Sequence, residues 1–156
     1  MIDLARDEIR SQKGYTAMAT LSQHSLSKLE TCVEPLRQLF AEVVKDFDCT
    51  ILEGKRTVEQ QEKNVASGVS KTMDSRHLDE PLSNAVDVAP YPLKWPKKDS
   101  PTYAKDLARY YYFGGFVIGT AQRLNIATRW GGDWDGDRDI HEQSFDDLVH
   151  FELVLK

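Results

Sequence analysis

A single aspartate inside an apolar run constrains this chain more than any other feature. Asp87 lies in Asn84-Ala85-Val86-Asp87-Val88-Ala89-Pro90, among small and β-branched residues. The run reads as a short, mostly buried strand. An unpaired carboxylate is costly to bury, so the fold must bring a cation to it. Ten residues earlier, across a loop carrying Pro81, stands His77 in Ser75-Arg76-His77. Near the C-terminus, Asp147-Leu148-Val149-His150-Phe151-Glu152 supplies a second imidazole at the start of an alternating segment. Two imidazoles and a carboxylate form a zinc ligand set that leaves one tetrahedral position open for water. His77, Asp87 and His150 are therefore the candidate metal ligands. His24 reads as a surface or capping residue, and His141, in an exposed acidic stretch, is the reserve ligand.

At 156 residues with 40% apolar content, the chain suits one domain around one modest core. Its formal charge of -5 lacks the basic stripe that nucleic-acid binding requires. The same charge does not favour electrostatic capture by an anionic cell wall. Cys32 and Cys49 lie in apolar contexts and read as buried thiols rather than a disulfide framework. The first twenty residues carry Asp3, Arg6, Asp7, Glu8, Arg10 and Lys13 and show no apolar signal segment. No run reaches membrane-spanning length. The expectation is a cytoplasmically made protein with no membrane insertion. Residues 1–20 read as an arm or short helix, with the main domain over 21–156.

Along the chain, Pro35 fits the first turn of a helix whose stripe is Leu36, Leu39, Phe40, Val43 and Val44. Residues 48–53 read as a strand ending at Gly54. Thr57-x-x-Gln60 is a capping box for a helix running to about residue 66. Arg56 falls between that strand and that helix. Its surroundings fit a surface arginine paired with Glu53 or Glu59 as well as a group held firmly in a cleft. Ser100-Pro101 opens a helix over 102–124, in which Gly114-Gly115 signals close packing or a kink. The Asp133, Asp135, Asp137, Asp139 spacing resembles the start of a calcium loop, but Ser144 stands where its closing glutamate belongs. Strands are expected over 48–53, 84–89 and 150–155. The predicted fold is a small α+β domain with helices packed against a short antiparallel sheet that carries the zinc site.

These motifs resemble, in order, the zinc D,D-/L,D-peptidases of the VanX/VanY kind (the M15 family), and within it the phage L-alanyl-D-glutamate endopeptidases. The resemblance rests on Glu53-Gly54-Lys55-Arg56-Thr57, Lys71-Thr72-Met73-Asp74-Ser75-Arg76-His77, Asn84-Ala85-Val86-Asp87-Val88-Ala89-Pro90, Arg129-Trp130-Gly131-Gly132-Asp133-Trp134-Asp135 and His150-Phe151-Glu152-Leu153. It covers roughly residues 22–155. One interval departs from the pattern: the loop between His77 and Asp87 is about three residues longer than usual.

The resemblance implies a zinc peptidase that cuts the peptidoglycan stem peptide between L-alanine and D-glutamate, in the manner of a phage endolysin. It makes Asp147 the general base, three residues before the last histidine. Read from the residues alone, the alternative for Asp147 is a solvated acid of the Asp146-Asp147 pair. Glu152 competes for the role. It shares a strand face with His150, and a partner to a ligating imidazole is the favoured reading. The resemblance also turns Arg56 into an oxyanion-stabilising group. It places Ser75 beside the substrate or the ligands, and Trp130 and Asp133 in a wall of the cleft, with Asp133 or Asp135 tying that loop down. The implied partner is the stem peptide of the bacterial wall, met by a monomer. A separate membrane-permeabilising protein would release the enzyme from the host cytoplasm. Rival readings are cleavage of D-alanyl-D-alanine or another bond of the same stem, a non-catalytic wall-binding or virion protein, and a muramidase.

Overall fold

The computed structural model describes residues 19–155. The arm expected over 1–20 lies almost entirely outside them. Ser22 caps the first helix, α1 (Gln23–Leu29), its hydroxyl accepting from Ser25 N at 3.1 Å. Helix α2 (Glu34–Asp46) carries Pro35 in its first turn and buries Leu36, Leu39, Phe40, Val43 and Val44. Strand β1 (Cys49–Glu53) follows. The capping box at Thr57 and Gln60 opens α3 (Val58–Ala66). A single 3₁₀ turn spans Arg76–Leu78. Then come β2 (Ala85–Pro90), α4 (Tyr103–Arg123), β3 (Thr128–Gly131) and β4 (Asp147–Leu153). The expected strand near 84–89 thus sits one residue later, and the last strand begins at Asp147 instead of 150.

The four strands form one antiparallel sheet in the order β1-β2-β4-β3. Strand alternation divides it into two faces. On one, Ile51, Val86, Val88 and Phe151 are fully buried with the apolar stripes of α2 and α4. Phe151 meets Phe40 and Phe113 edge-on, with ring centroids 5.5 and 6.1 Å apart. Such ring pairs add about 0.5–1.5 kcal/mol each beyond the area they bury. The other face carries Asp87, His150 and Glu152. Core and site are therefore the two sides of the same strands.

Helix α4 runs unbroken through Gly114-Gly115. A Cβ on Gly114 would come within 2.3 Å of the Trp130 indole, so close packing is the reason for this glycine. Nothing lies within 4 Å of a Cβ built on Gly115. Cys32 and Cys49 are both buried and form no disulfide with one another. Burial raises the Cys32 thiol to about 11, which keeps it protonated and unreactive at neutral pH.

Candidate metal centre

Asp87 and His150 are directly opposed across β2 and β4, and side chains so paired stand on one face. His77 arrives from the 3₁₀ turn. Ser75 caps that turn, its Oγ accepting from His77 N at 3.3 Å. Arg56 N donates to His77 O at 2.8 Å, tying the turn to the end of β1. The longer loop after His77 leaves the pair intact, because Ser83 and Asn84 bond back to Thr31 and Arg76 and fix the start of β2.

The three donor atoms form a nearly equilateral triangle. His77 Nε2 lies 3.1 Å from Asp87 Oδ1, His150 Nδ1 lies 3.2 Å from the same oxygen, and the two nitrogens are 3.2 Å apart. The outer ring nitrogens decide where the protons are. His77 Nδ1 faces the Gly54 carbonyl at 2.7 Å, and a carbonyl only accepts. His150 Nε2 faces Glu152 Oε2 at 2.8 Å. In the neutral rings both outer nitrogens therefore carry the hydrogen, and three lone pairs converge on one point. That point calls for a positive charge. Ligands at roughly 2.0–2.1 Å in tetrahedral array about zinc stand about 3.3 Å apart, so the donor set and the spacing fit zinc.

Electrostatics report the same demand. Burial opposes the Asp87 carboxylate, but its polar contacts with His150 and His77 outweigh it and hold the group well below the usual carboxylate range. His150 is also penalised by burial, yet Asp87 and Glu152 raise it to about 9 in the metal-free protein. A proton then takes the place of the metal. Glu152, likewise opposed by burial, is drawn down to about 2 by His150 and Arg129.

Around this triangle lies a cleft of about 570 Å³. Arg56 lines it, with a side chain only 11% exposed. Its Nη2 is 3.4 Å from Asp87 Oδ2, and its Nη1 donates to Gln61 Oε1 at 2.6 Å. Glu53 is at 4.0 Å from its Nε, so this arginine faces the site rather than the surface. Gln61 is itself fully buried and anchored to Ser70 and to the Thr72 carbonyl.

Asp147 also lines the cleft. Burial and the negative charge of Asp87 raise its pKa, against the histidines and Arg56. Its position depends on a bulge: β3 pairs Trp130 with Phe151 but the next residue, Gly131, with Asp147. Bulges of this kind re-aim side chains beside active sites. A Cβ on Gly131 would sit 2.2 Å from Asp147 O, so glycine permits the approach.

Two expected wall residues lie elsewhere. Trp130 is 5% exposed, sits among the core residues and donates through Nε1 to Leu148 O at 2.9 Å. Trp134 takes the cleft position, its ring 5.5 Å from that of His150. Asp133 ties down its own loop, accepting from Gly136 N and Arg138 N at 3.0 Å each. Asp133, Asp135 and Asp137 do converge, but Asp135 and Asp137 too accept from backbone N–H groups of that loop. His141 pairs with Asp139 on the surface and is no part of the triangle.

Sequence reasoning passed over Arg129. It is paired in register with Glu152 across β3 and β4, and its Nε and Nη2 both donate to Glu152 Oε1. Its guanidinium lies over the Trp134 ring. The available signal was the alternation Thr128-Arg129-Trp130 next to a glycine pair.

Comparison with known proteins agrees with this geometry. The L-alanyl-D-glutamate peptidase of Escherichia phage T5 is 31% identical over 117 residues, 69% of this chain and 77% of that protein. The crystal structure of the Serratia marcescens L-Ala D-Glu endopeptidase ChiX has the same fold, with a TM-score of 0.62 at 24% identity over 86% of this chain and 90% of that one. The model of the family described as phage L-alanyl-D-glutamate peptidase matches residues 18–154. That match takes in all three corners of the triangle and the strands that carry them, and the chain belongs to this family.

Proposed function

We propose that this protein is a zinc-dependent peptidase that hydrolyses the L-alanyl-D-glutamate bond of peptidoglycan stem peptides, as phage-type endolysins do. The observation that carries the chemistry is the convergence of three lone pairs at 3.1–3.2 Å, each held by an outer partner that fixes its direction. The bond itself is supported by family membership and by what the phage T5 relative is named for.

His77, Asp87 and His150 would hold the zinc, which when bound supplies a Lewis acid and makes water acidic enough to lose a proton near neutral pH. The chain's other groups do the rest. The Asp147 carboxylate takes the proton of the attacking water and hands it to the departing amine nitrogen. Its burial favours the protonated form, which suits a carboxyl that must hold a proton in transit. Arg56 places a fixed positive charge beside the scissile carbonyl, where negative charge grows in the transition state. Gln61 and Asp87 keep the guanidinium from swinging away. Glu152 and Arg129 lock the His150 ring in its tautomer.

The reading extends to the cell. The protein is made in the host cytoplasm, acts as a monomer, and reaches the wall once a separate protein has permeabilised the membrane. Among the described residues no helix is long and apolar enough to cross a membrane.

Mass spectrometry of purified wall digested by the zinc-loaded protein tests the bond. The expected products are a sugar fragment ending in L-alanine and a peptide beginning at D-glutamate. Release of single D-alanine would replace this reading with D,D-cleavage. Bound zinc without any cleavage would favour a wall-binding protein.

A further inference from the structure

Among the described residues, the cleft holds one lysine or arginine that no carboxylate neutralises. Four basic side chains line it: Arg56, Lys71, Arg76 and Arg129. Arg56 is tied to Asp87, Arg129 to Glu152, and Arg76 lies 3.7 Å from Asp79. Lys71 makes no ion pair among the described residues. Its ammonium instead lies 4.9 Å from the centroid of the Phe145 ring. Such a contact is a weak tether at an exposed site. It leaves the three N–H donors free while holding the charge over one wall.

That wall is the one that carries Asp147. Phe145 precedes Asp147 by two residues, and both border the cleft. If Asp147 protonates the departing amine, the residue on the amine side of the cut bond lies against this wall. In an L-alanyl-D-glutamate bond that residue is D-glutamate. It has two carboxyl groups, and a stem that continues through one leaves the other free. When the stem continues through the side-chain carboxyl, the free one shares a carbon with the departing nitrogen, about 2.5 Å away. Asp74 and Asp146 border the same cleft and repel an anion. Acceptance of a carboxylate there therefore needs a local positive charge.

We propose that Lys71 is a specificity-determining residue that binds the free carboxylate of the D-glutamate on the leaving side. The inference rests on the peptidase reading above. It makes the enzyme sensitive to whether the wall keeps that carboxyl free or converts it to the primary amide. A charge-assisted hydrogen bond of this kind is made alike in the bound substrate and the transition state, so it acts mainly on KM.

Two synthetic stem peptides, identical except that this carboxyl is free or is a primary amide, test it. Each is assayed with the zinc-loaded full chain carrying Lys71, Lys71→Met or Lys71→Arg. The wild-type protein should prefer the free acid by about ten- to a hundredfold in kcat/KM. Lys71→Met should lose most of that preference through a higher KM for the acid, with the amide changed less than about threefold. Lys71→Arg should restore the preference. If Lys71→Met slows both peptides equally, or neither, the proposal is overturned while the peptidase reading stands. If the wild-type protein cuts neither peptide between alanine and the D-residue, the peptidase reading falls and this inference falls with it.

Discussion

Glu152→Gln isolates the part of the site that holds the zinc ligand His150. The two oxygens of Glu152 accept from opposite sides: Oε2 from His150 Nε2 at 2.8 Å, Oε1 from Arg129 Nε at 3.0 Å and from its Nη2. These contacts draw the carboxyl from 4.5 to about 2 against the cost of burial. That drop corresponds to on the order of 3 kcal/mol of preference for the charged form. A glutamine has one acceptor oxygen and one NH₂. If the NH₂ faces Arg129, donors confront donors. If it faces His150, the ring accepts at Nε2 and moves its proton to Nδ1, the atom that would bind zinc. Restoring the ligating tautomer then leaves a buried donor unpaired, at about 1–3 kcal/mol. Zinc affinity should therefore fall by about ten- to a hundredfold, the usual effect of losing such a partner. Competition against a chromophoric chelator at fixed pH measures it, with circular dichroism confirming that both proteins are folded. An affinity within twofold of the wild type would refute the tautomer argument.

Other outcomes follow from the same geometry. Asp147→Asn should keep zinc and lose nearly all turnover, measured on one preparation; retained turnover together with a dead, zinc-bound Glu152→Gln would move the base to Glu152. Arg56→Ala should lower kcat by about a hundredfold with zinc still bound, as loss of an oxyanion donor does; near-normal turnover would contradict its role. In the zinc-free protein the His150 pKa is raised from 6.5 to about 9, so its stabilising contribution is fully present below pH 6.5 and is lost as pH rises through 9. Urea unfolding of the chelated protein should show that decline, and His150→Gln should abolish it.

Much of this site was legible in the chain because the constraint was local. Asp87 stood out as a charge in an apolar strand, and the capping box at Thr57 fixed where α3 begins and hence where Arg56 sits. The two-residue period placed Glu152 on the face of His150, where the structure has it. What was not legible depends on register. Strand β3 is only four residues long, and its pairing with β4 jumps between Trp130 and Gly131. That jump decides that Trp130 enters the core while Trp134 lines the cleft, a choice no local pattern records. The Arg129–Glu152 pair is hidden for the same reason, since it exists only once the strands are aligned.

The central claim is that His77, Asp87 and His150 form one zinc site. Its most direct test is metal analysis of the purified protein after dialysis, joined to an anomalous difference map recorded at the zinc edge. The account predicts one zinc per chain and a single peak bonded to His77 Nε2, Asp87 Oδ1 and His150 Nδ1, at distances near 2 Å. A protein that cleaves wall peptides with no zinc bound, or a peak that lies away from these three atoms, would contradict it.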